Sequence, residues 1–387
     1  MTEVAIVYTE LPDSSKAGNE LGAQILQPMP EPPDAVVVFV SPAYEFAELL
    51  EALKETCHPK IIVGCSSAGE FTSMIQGEGL ACALALRSTE MQFTAGIGRG
   101  VRDNRIEAAK AVVSSFKGTS IHNYRYRSAL VLTDALAGYA DELVEQLTLF
   151  TAGTYQFFGG GAGDNAQFRN TPVFYDTGVI SDAVVALEIL SNKPLGIGVR
   201  HGWEPASKGM RVTEIDGMRL VSLNAMPAVE SFQEYAEAIG QAFDPANPLP
   251  FFLHNIIGVD TGFGYKLRVP LAVNCDGSIL CASEIPAGAT VHLMRTSSTS
   301  ATEAASSAVE DALQQLNGPK VAAALFFDCV ATRLRMGKEF GTELQAIQDR
   351  LGSTPYVGCN SHGQIARAEG QFSGFHNCTT VICLIPE

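Results

Sequence analysis

Apolar residues along this chain fall into two alternating patterns. Short continuous runs of Val, Ile, Leu, Ala and Phe predict buried strands, and stretches with apolar residues every third or fourth position predict amphipathic helices. After a strand at 4–8, a polar helical stretch and the link Pro28-Met29-Pro30-Glu31-Pro32-Pro33, the order becomes repetitive. A first unit reads as strand 35–40, helix 43–55 with Phe46, Leu49, Leu50 and Leu53 on one side, strand 60–63, a turn of small residues, strands 80–86 and 92–97, and helix 105–116. A second reads as strand 129–133, helix 141–150, strand 155–158, a glycine turn, and strands 171–175 and 183–190. Gly196-Ile197-Gly198-Val199 then echoes Gly96-Ile97-Gly98, and Asp216-Gly217 joins 211–215 to 220–223 as a hairpin, followed by a helix at 228–242. Three prolines in 244–250 cannot continue that helix, so the boundary between two domains, 1–243 and 244–387, is placed there. Beyond it come strands at 266–269, 272–274 and 278–282. A third unit then follows in permuted order: strand 290–294, helix 300–316, strand 322–327, helix 338–351, strand 355–357, a turn, and strand 379–385. The predicted fold is α/β, with mixed sheets built from related strand-helix-strand-turn-strand units.

The three turns carry the candidate chemistry. Gly64-Cys65-Ser66-Ser67-Ala68-Gly69-Glu70, Phe158-Gly159-Gly160-Gly161-Ala162-Gly163-Asp164 and Gly358-Cys359-Asn360-Ser361-His362-Gly363-Gln364 align without a gap, each following a strand. Small residues let the backbone turn sharply or approach a ligand. On that alignment His362 stands where the other copies carry Ala68 and Ala162, so one copy holds an imidazole where the architecture asks only for a methyl group.

Composition narrows what the histidine can mean. With 387 residues, 46% hydrophobic and 18% charged, the chain has material for more than one core. A formal charge of −16 disfavours nucleic acid and anionic membranes as main partners. No run is long enough for a membrane span and the first residues lack a secretory pattern, so a cytoplasmic location is expected. Nine cysteines without CxxC spacing fit reduced thiols, with Cys82, Cys378 and Cys383 as small core residues, better than disulfides, a zinc knuckle or covalent haem.

His362, at a strand end among small neighbours, is the leading ligand-binding residue. His201 is the runner-up, because the matching stretch of the first unit, Arg99-Gly100-Val101, has no imidazole; Trp203 beside it could stack on a flat cofactor. His376 opens the last strand and reads as structural. His58, His122, His254 and His292 read as structural or surface residues. The turns lead into strands rather than helix N-termini, which argues against phosphate cradles and a dinucleotide fold. A thiol hydrolase pairing Cys359 or Cys329 with His362 lacks an acid to orient the imidazole. No spacing suits a four-ligand zinc site.

The three turn motifs, together with Phe375-His376-Asn377-Cys378-Thr379, resemble FIST N and FIST C domains over nearly the whole chain after about residue 30. The resemblance implies a non-enzymatic sensory module of the kind found with histidine kinases and cyclic-dinucleotide enzymes, here a stand-alone protein acting on a separate partner kinase. One branch of that family binds haem and senses nitric oxide. By that resemblance a non-covalent b-type haem would take His362 as iron ligand, with His201, Trp203, Ser361, Gly363 and Gln364 around it. Gln364 replaces the family's usual acid and removes a charge beside His362. The alternative is a sensor of a small metabolite such as an amino acid, held without haem between the two domains by Glu70, Asp164 and Gln364.

Overall fold

The computed structural model describes residues 2–121, 123–367 and 374–387; His122 lies outside them. Three six-stranded sheets surround a shared core, and a fourth sheet is inserted into the third unit. The first sheet runs Thr2–Thr9, Ala81–Ser88, Ala35–Val40, Ile62–Ser66, Val173–Tyr175, Gly178–Ile180. The second runs Met91–Arg99, Ala183–Ser191, Tyr126–Thr133, Gln156–Gly161, Gln364–Arg367, Gly374–His376, and the third runs Gly196–Arg200, Thr380–Pro386, Val321–Cys329, Tyr356–Ser361, Glu70–Thr72, Gln76–Gly77. Each sheet therefore has four strands of its own and two lent by another unit. The first unit lends to the third, the second to the first and the third to the second, a closed cycle in which no unit completes its sheet alone.

Both faces of these sheets are covered, which is why their strands read as unbroken apolar runs. In Ala35–Val40 the period-two alternation sends Val36, Val38 and Val40 toward the helices Ser14–Leu26 and Phe46–Cys57, while Ala35, Val37 and Phe39 enter the common core. Phe39 meets Phe327 of the third sheet there edge to face, with centroids 5.5 Å apart. The helices Arg105–Ser114 and Ala140–Phe150 cover the second sheet, and Ser298–Leu316 and Phe340–Leu351 cover the third.

The topology changes the frame of the repeat. Each unit opens one strand earlier than the apolar pattern suggests: Thr2–Thr9, Met91–Arg99 and Gly196–Arg200 occupy the same edge of their sheets. Strand 92–97 and helix 105–116, read as the end of the first unit, begin the second. The third unit is not permuted. It opens at Gly196–Arg200, and the chain from Glu204 to Arg295 departs to build the nine-stranded inserted sheet, to which Thr290–Arg295 belongs. The segment 244–250 runs within this inserted body, between the helix Ala228–Ile239 and the strand Ile256–Asp260. The hairpin around Asp216-Gly217 forms between Met210–Asp216 and Arg219–Leu223.

The echo of Gly96-Ile97-Gly98 in Gly196-Ile197-Gly198 has a packing cause. A Cβ at Gly98 would strike the Ala108 carbonyl of the covering helix, and one at Gly198 would strike the Ala308 carbonyl of its counterpart. Neither helix could then lie on its strand. Gly198→Ala is expected to lower stability by about 2–3 kcal/mol, the cost of overpacking against backbone that cannot move aside. Urea unfolding measures it, and an unchanged midpoint would refute the close-packing argument.

Candidate functional site

The three turns meet at the middle of the molecule in a cyclic set of backbone hydrogen bonds. Ala68 N–H donates to the Asn360 carbonyl (2.9 Å), Gly163 N–H to Ser66 (2.8 Å) and His362 N–H to Gly161 (3.0 Å). A second set follows the same order: Asn360 N–H to Gly69, Gly161 N–H to Gly363, and Ser66 N–H to Pro172. These bonds correct the gapless alignment by one residue in the middle copy. The positions equivalent to His362 are Ala68 and Gly163, not Ala162. Glu70 and Gln364 pair with Cys359 and Gly160, and the residue paired in the same way with Cys65 is Val173 rather than Asp164.

Asp164 is thereby released from the ring into an insertion found only in the middle copy. Its carboxylate accepts from the backbone N–H groups of Gln167 (3.1 Å), Phe168 (2.9 Å), Arg169 (2.6 Å) and Asn170 (3.1 Å), closing residues 164–170 into a compact loop. Asn165, Ala166 and Phe168 in this loop have φ of 55°, 59° and 54°, left-handed values that non-glycine residues seldom take and that are held only by surrounding structure. The loop brings two groups to His362. Asp164 Oδ1 lies 3.6 Å from Nε2, and the Phe168 ring stacks on the imidazole with centroids 4.8 Å apart.

His362 is 8% exposed, and neither ring nitrogen has a hydrogen-bond partner among the described residues. Burial drives its pKa down to about 4, with the Asp164 carboxylate opposing the shift. The imidazole is therefore neutral at pH 7, and the nearby carboxylate favours the tautomer with its proton on Nε2, leaving Nδ1 an acceptor. An unfolded histidine titrates near 6.5, so between about pH 6.5 and 4 the unfolded state holds the extra proton and stability falls as pH falls. The parent is expected to lose on the order of 2–3 kcal/mol relative to His362→Ala across that window. Urea unfolding at both pH values checks this, and parallel pH profiles would contradict it. Comparison with the variant is needed because Glu70, raised to about 7 chiefly by burial, acts in the opposite sense over part of the range.

The imidazole forms part of the wall of a cavity of about 340 Å³ between the three-sheet core and the inserted body. The core supplies Ala135, Leu136, Phe168, Cys329, Val330, Ala331 and Asn377; the inserted body supplies Met218, Val269, Leu271, Leu280, Cys281 and Ala282. None of these is charged. Volume and lining suit a small, largely apolar molecule.

The other residues singled out from sequence have different places. Ser361 Oγ donates to the Asp328 and Gly363 carbonyls and accepts from Gln364 Nε2, and Gln364 Oε1 accepts from Thr379 N–H, so both side chains brace the turn. Gly363 has φ 115°, and a Cβ there would strike the Phe375 ring. His201 is held by backbone on both sides: Nε2 contacts the Tyr265 carbonyl at 3.1 Å and Nδ1 accepts from Trp203 N–H at 3.3 Å. Trp203 packs with Ile256, Leu267 and Met294 beneath the Arg335 guanidinium, and neither it nor His201 lines the cavity. His376 is buried in the strand Gly374–His376, its pKa pushed down to about 3, first by burial. His58 caps a helix at φ 47° and His292 Nδ1 contacts the Ser207 carbonyl. Glu70 borders a separate surface hollow with Arg333 and Lys338, and neither Asp164 nor Gln364 is among the residues that line the cavity or that hollow. Phe168 was not identified from sequence, and Asn377 stood out only as part of the motif from Phe375 to Thr379, not as a cavity residue. Among the described residues no helix is long and apolar enough to cross a membrane, and no cluster of three or more His, Cys, Asp or Glu could hold a metal ion.

Relatives are similar over the full length. A protein of Mycobacterium tuberculosis described as uncharacterised is 24% identical over 397 residues, covering 98% of this chain and 99% of its own. Another, from Mycobacterium bovis and described in the same way, is 23% identical over 406 residues, covering 96% of each. A cyanuric acid hydrolase from A. caulinodans aligns over 99% of both chains at 8% identity and a TM-score of 0.33, a likeness too weak to inform the fold. The FIST N domain matches residues 34–226 and the FIST C domain residues 228–367. With both domains present in that order, the chain belongs to the FIST family of signal-transduction sensor proteins.

Proposed function

We propose that this chain senses a small, neutral, mostly apolar molecule that carries an N–H or O–H donor and enters the cavity at His362. The observation that supports this reading most directly is the imidazole itself: buried, neutral, without a hydrogen-bond partner among the described residues, and at the wall of an apolar cavity. An unpaired buried polar group costs stability that a ligand donor would restore. The Asp164 carboxylate nearby, with no cation among the described residues of the cavity wall, works against carboxylates and phosphates. Phe168 covers the imidazole although its side chain is apolar and 43% exposed, so the ligand reaches His362 by displacing that ring. The strained loop then exchanges between two arrangements, and a partner such as a histidine kinase reads the change at the surface.

Indole, tryptamine and indole-3-acetate share a ring system and differ in charge. Titration calorimetry at pH 7 is expected to show neutral indole binding at least tenfold more tightly than cationic tryptamine or anionic indole-3-acetate. Equal binding of all three, or binding of the anion alone, would reject this ligand class.

Haem is the second reading, favoured by the same imidazole, since a neutral histidine nitrogen suits iron. His362 fits as the axial donor and the apolar walls suit a porphyrin face. The remainder does not fit as it stands: among the described residues no Arg or Lys lines the cavity to meet two propionates, and Phe168 occupies one face of the imidazole. An absorption spectrum of protein from haem-supplemented cells decides between the readings. A Soret band that shifts with nitric oxide and is lost in His362→Ala would establish haem sensing.

A further inference from the structure

The same cavity wall carries a thiol that ligand sensing does not use. Cys329 ends the strand Val321–Cys329, is 3% exposed, and lines the cavity beside Val330 and Ala331. Cys378, 49 residues on in the chain, belongs to the same buried cluster, with Trp203 and Met294. The antiparallel pairing of Phe327 with Val381 carries the chain at Cys378 back alongside the end of the strand at Cys329. Cys378 is held at φ 48°, a left-handed conformation rarely taken by residues other than glycine, and it follows Asn377, which also lines the cavity.

We propose that Cys329 and Cys378 form a peroxide-reactive pair, in which a small organic hydroperoxide entering the cavity oxidises Cys329 and Cys378 resolves it as a disulfide. The inference rests on the reading above only in requiring that the cavity admit small molecules. In the first step the Cys329 thiolate attacks the distal hydroperoxide oxygen. The S–O bond forms as the O–O bond breaks, the alkoxide takes a proton and leaves as the alcohol, and Cys329 becomes a sulfenic acid. In the second the Cys378 sulfur attacks the Cys329 sulfur. The S–S bond forms as the S–O bond breaks, and hydroxide leaves as water with the Cys378 proton. Two thiols are oxidised by two electrons and the hydroperoxide is reduced to alcohol and water.

The titration behaviour agrees with the division of roles. Cys329 is drawn down to about 7, chiefly by the bond from Cys378, while Cys378 is held well above the usual thiol range by giving its proton into that bond. A low-pKa attacking thiol beside a protonated resolving thiol is the arrangement of redox-sensing cysteines. The remaining seven cysteines provide the comparison: Cys275 is exposed, and Cys57, Cys65, Cys82, Cys281, Cys359 and Cys383 are buried.

The test treats the fully reduced, folded protein with one equivalent of cumene hydroperoxide at pH 7, alkylates the free thiols and maps peptides by mass spectrometry. The expected product has lost two hydrogens and carries a Cys329–Cys378 cross-link, with Cys275 alkylated. In Cys378→Ser and Cys378→Ala the cross-link disappears, and dimedone is expected to trap a sulfenic acid on Cys329. In Cys329→Ser neither product forms. Oxidation at Cys275 alone in the parent, or a cross-link lacking either Cys329 or Cys378, overturns the proposal without reference to any variant. Indole titration of the reduced protein reports separately on the cavity. Intact indole binding without the cross-link therefore removes this inference and leaves the ligand-sensing reading standing.

Discussion

Asp141→Ala is expected to cost about 3–5 kcal/mol of folding stability, the typical loss when one partner of a buried ion pair is removed. Asp141 opens the helix Ala140–Phe150, and its carboxylate receives Arg268 (2.7 Å), Lys266 (3.0 Å) and the Phe375 N–H (2.9 Å). Burial alone would raise its pKa, but the two cations outweigh burial and hold it below the usual carboxylate value. Arg268 is 1% exposed and spends its other donors on the carbonyls of Glu284, Leu267 and Phe375. Without Asp141 that guanidinium stays buried beside Lys266 with no counter-charge. Because Asp141 belongs to the core and Arg268 to the inserted body, the loss should loosen the joint that encloses the cavity. Urea unfolding is expected to show the full decrease, and hydrogen exchange should accelerate in the strands Ile256–Asp260 and Tyr265–Arg268 first. A loss below about 1 kcal/mol would mean that the ion pair does not secure the inserted body.

His362→Ala is expected to lower indole affinity at least tenfold, the effect of losing one hydrogen bond to a buried acceptor, while changing stability at pH 7 by no more than about 1 kcal/mol. The ring of turns tolerates small residues at this position, since Ala68 and Gly163 occupy it in the other copies and only the backbone N–H takes part in the ring. His201→Ala is the control, as both of its ring nitrogens contact backbone away from the cavity. It should cost stability and leave indole binding unchanged. The reverse pattern, with His201→Ala abolishing binding and His362→Ala neutral, would move the site to the inserted body.

Much of the fold was legible because both faces of each core sheet are covered, so Ala35–Val40 or the stretch 321–327 stands out as an unbroken apolar run. The helices were legible from their apolar faces, as in Leu49, Leu50 and Leu53. The frame of the repeat was harder to read. Met91–Arg99 and Gly196–Arg200 are sheet edges joined directly to the preceding unit, and the insertion from Glu204 to Arg295 separates the second of them from its helix. The glycine echo at 96–98 and 196–198 marked the true unit start, but it was assigned to the unit before. Gly159-Gly160-Gly161 allowed the middle turn to be aligned one residue out, and only the hydrogen-bond ring fixes its register. His362 was visible as an imidazole among small residues. Its stacking on Phe168 was not, since those residues are far apart in sequence and meet only because the third unit lends strands to the second.

The central claim is that His362 contacts the ligand, and histidine imidazole NMR tests it without a catalytic readout. With the seven histidines of the chain labelled with nitrogen-15, indole is added at pH 7 to parent, His362→Ala and His201→Ala proteins. One imidazole is expected to shift, its nitrogens showing the neutral form with the acceptor site newly hydrogen-bonded. That signal should be missing from His362→Ala and present in His201→Ala. Indole binding that leaves the His362 nitrogens unmoved while shifting those of His201 or His376 would contradict the account.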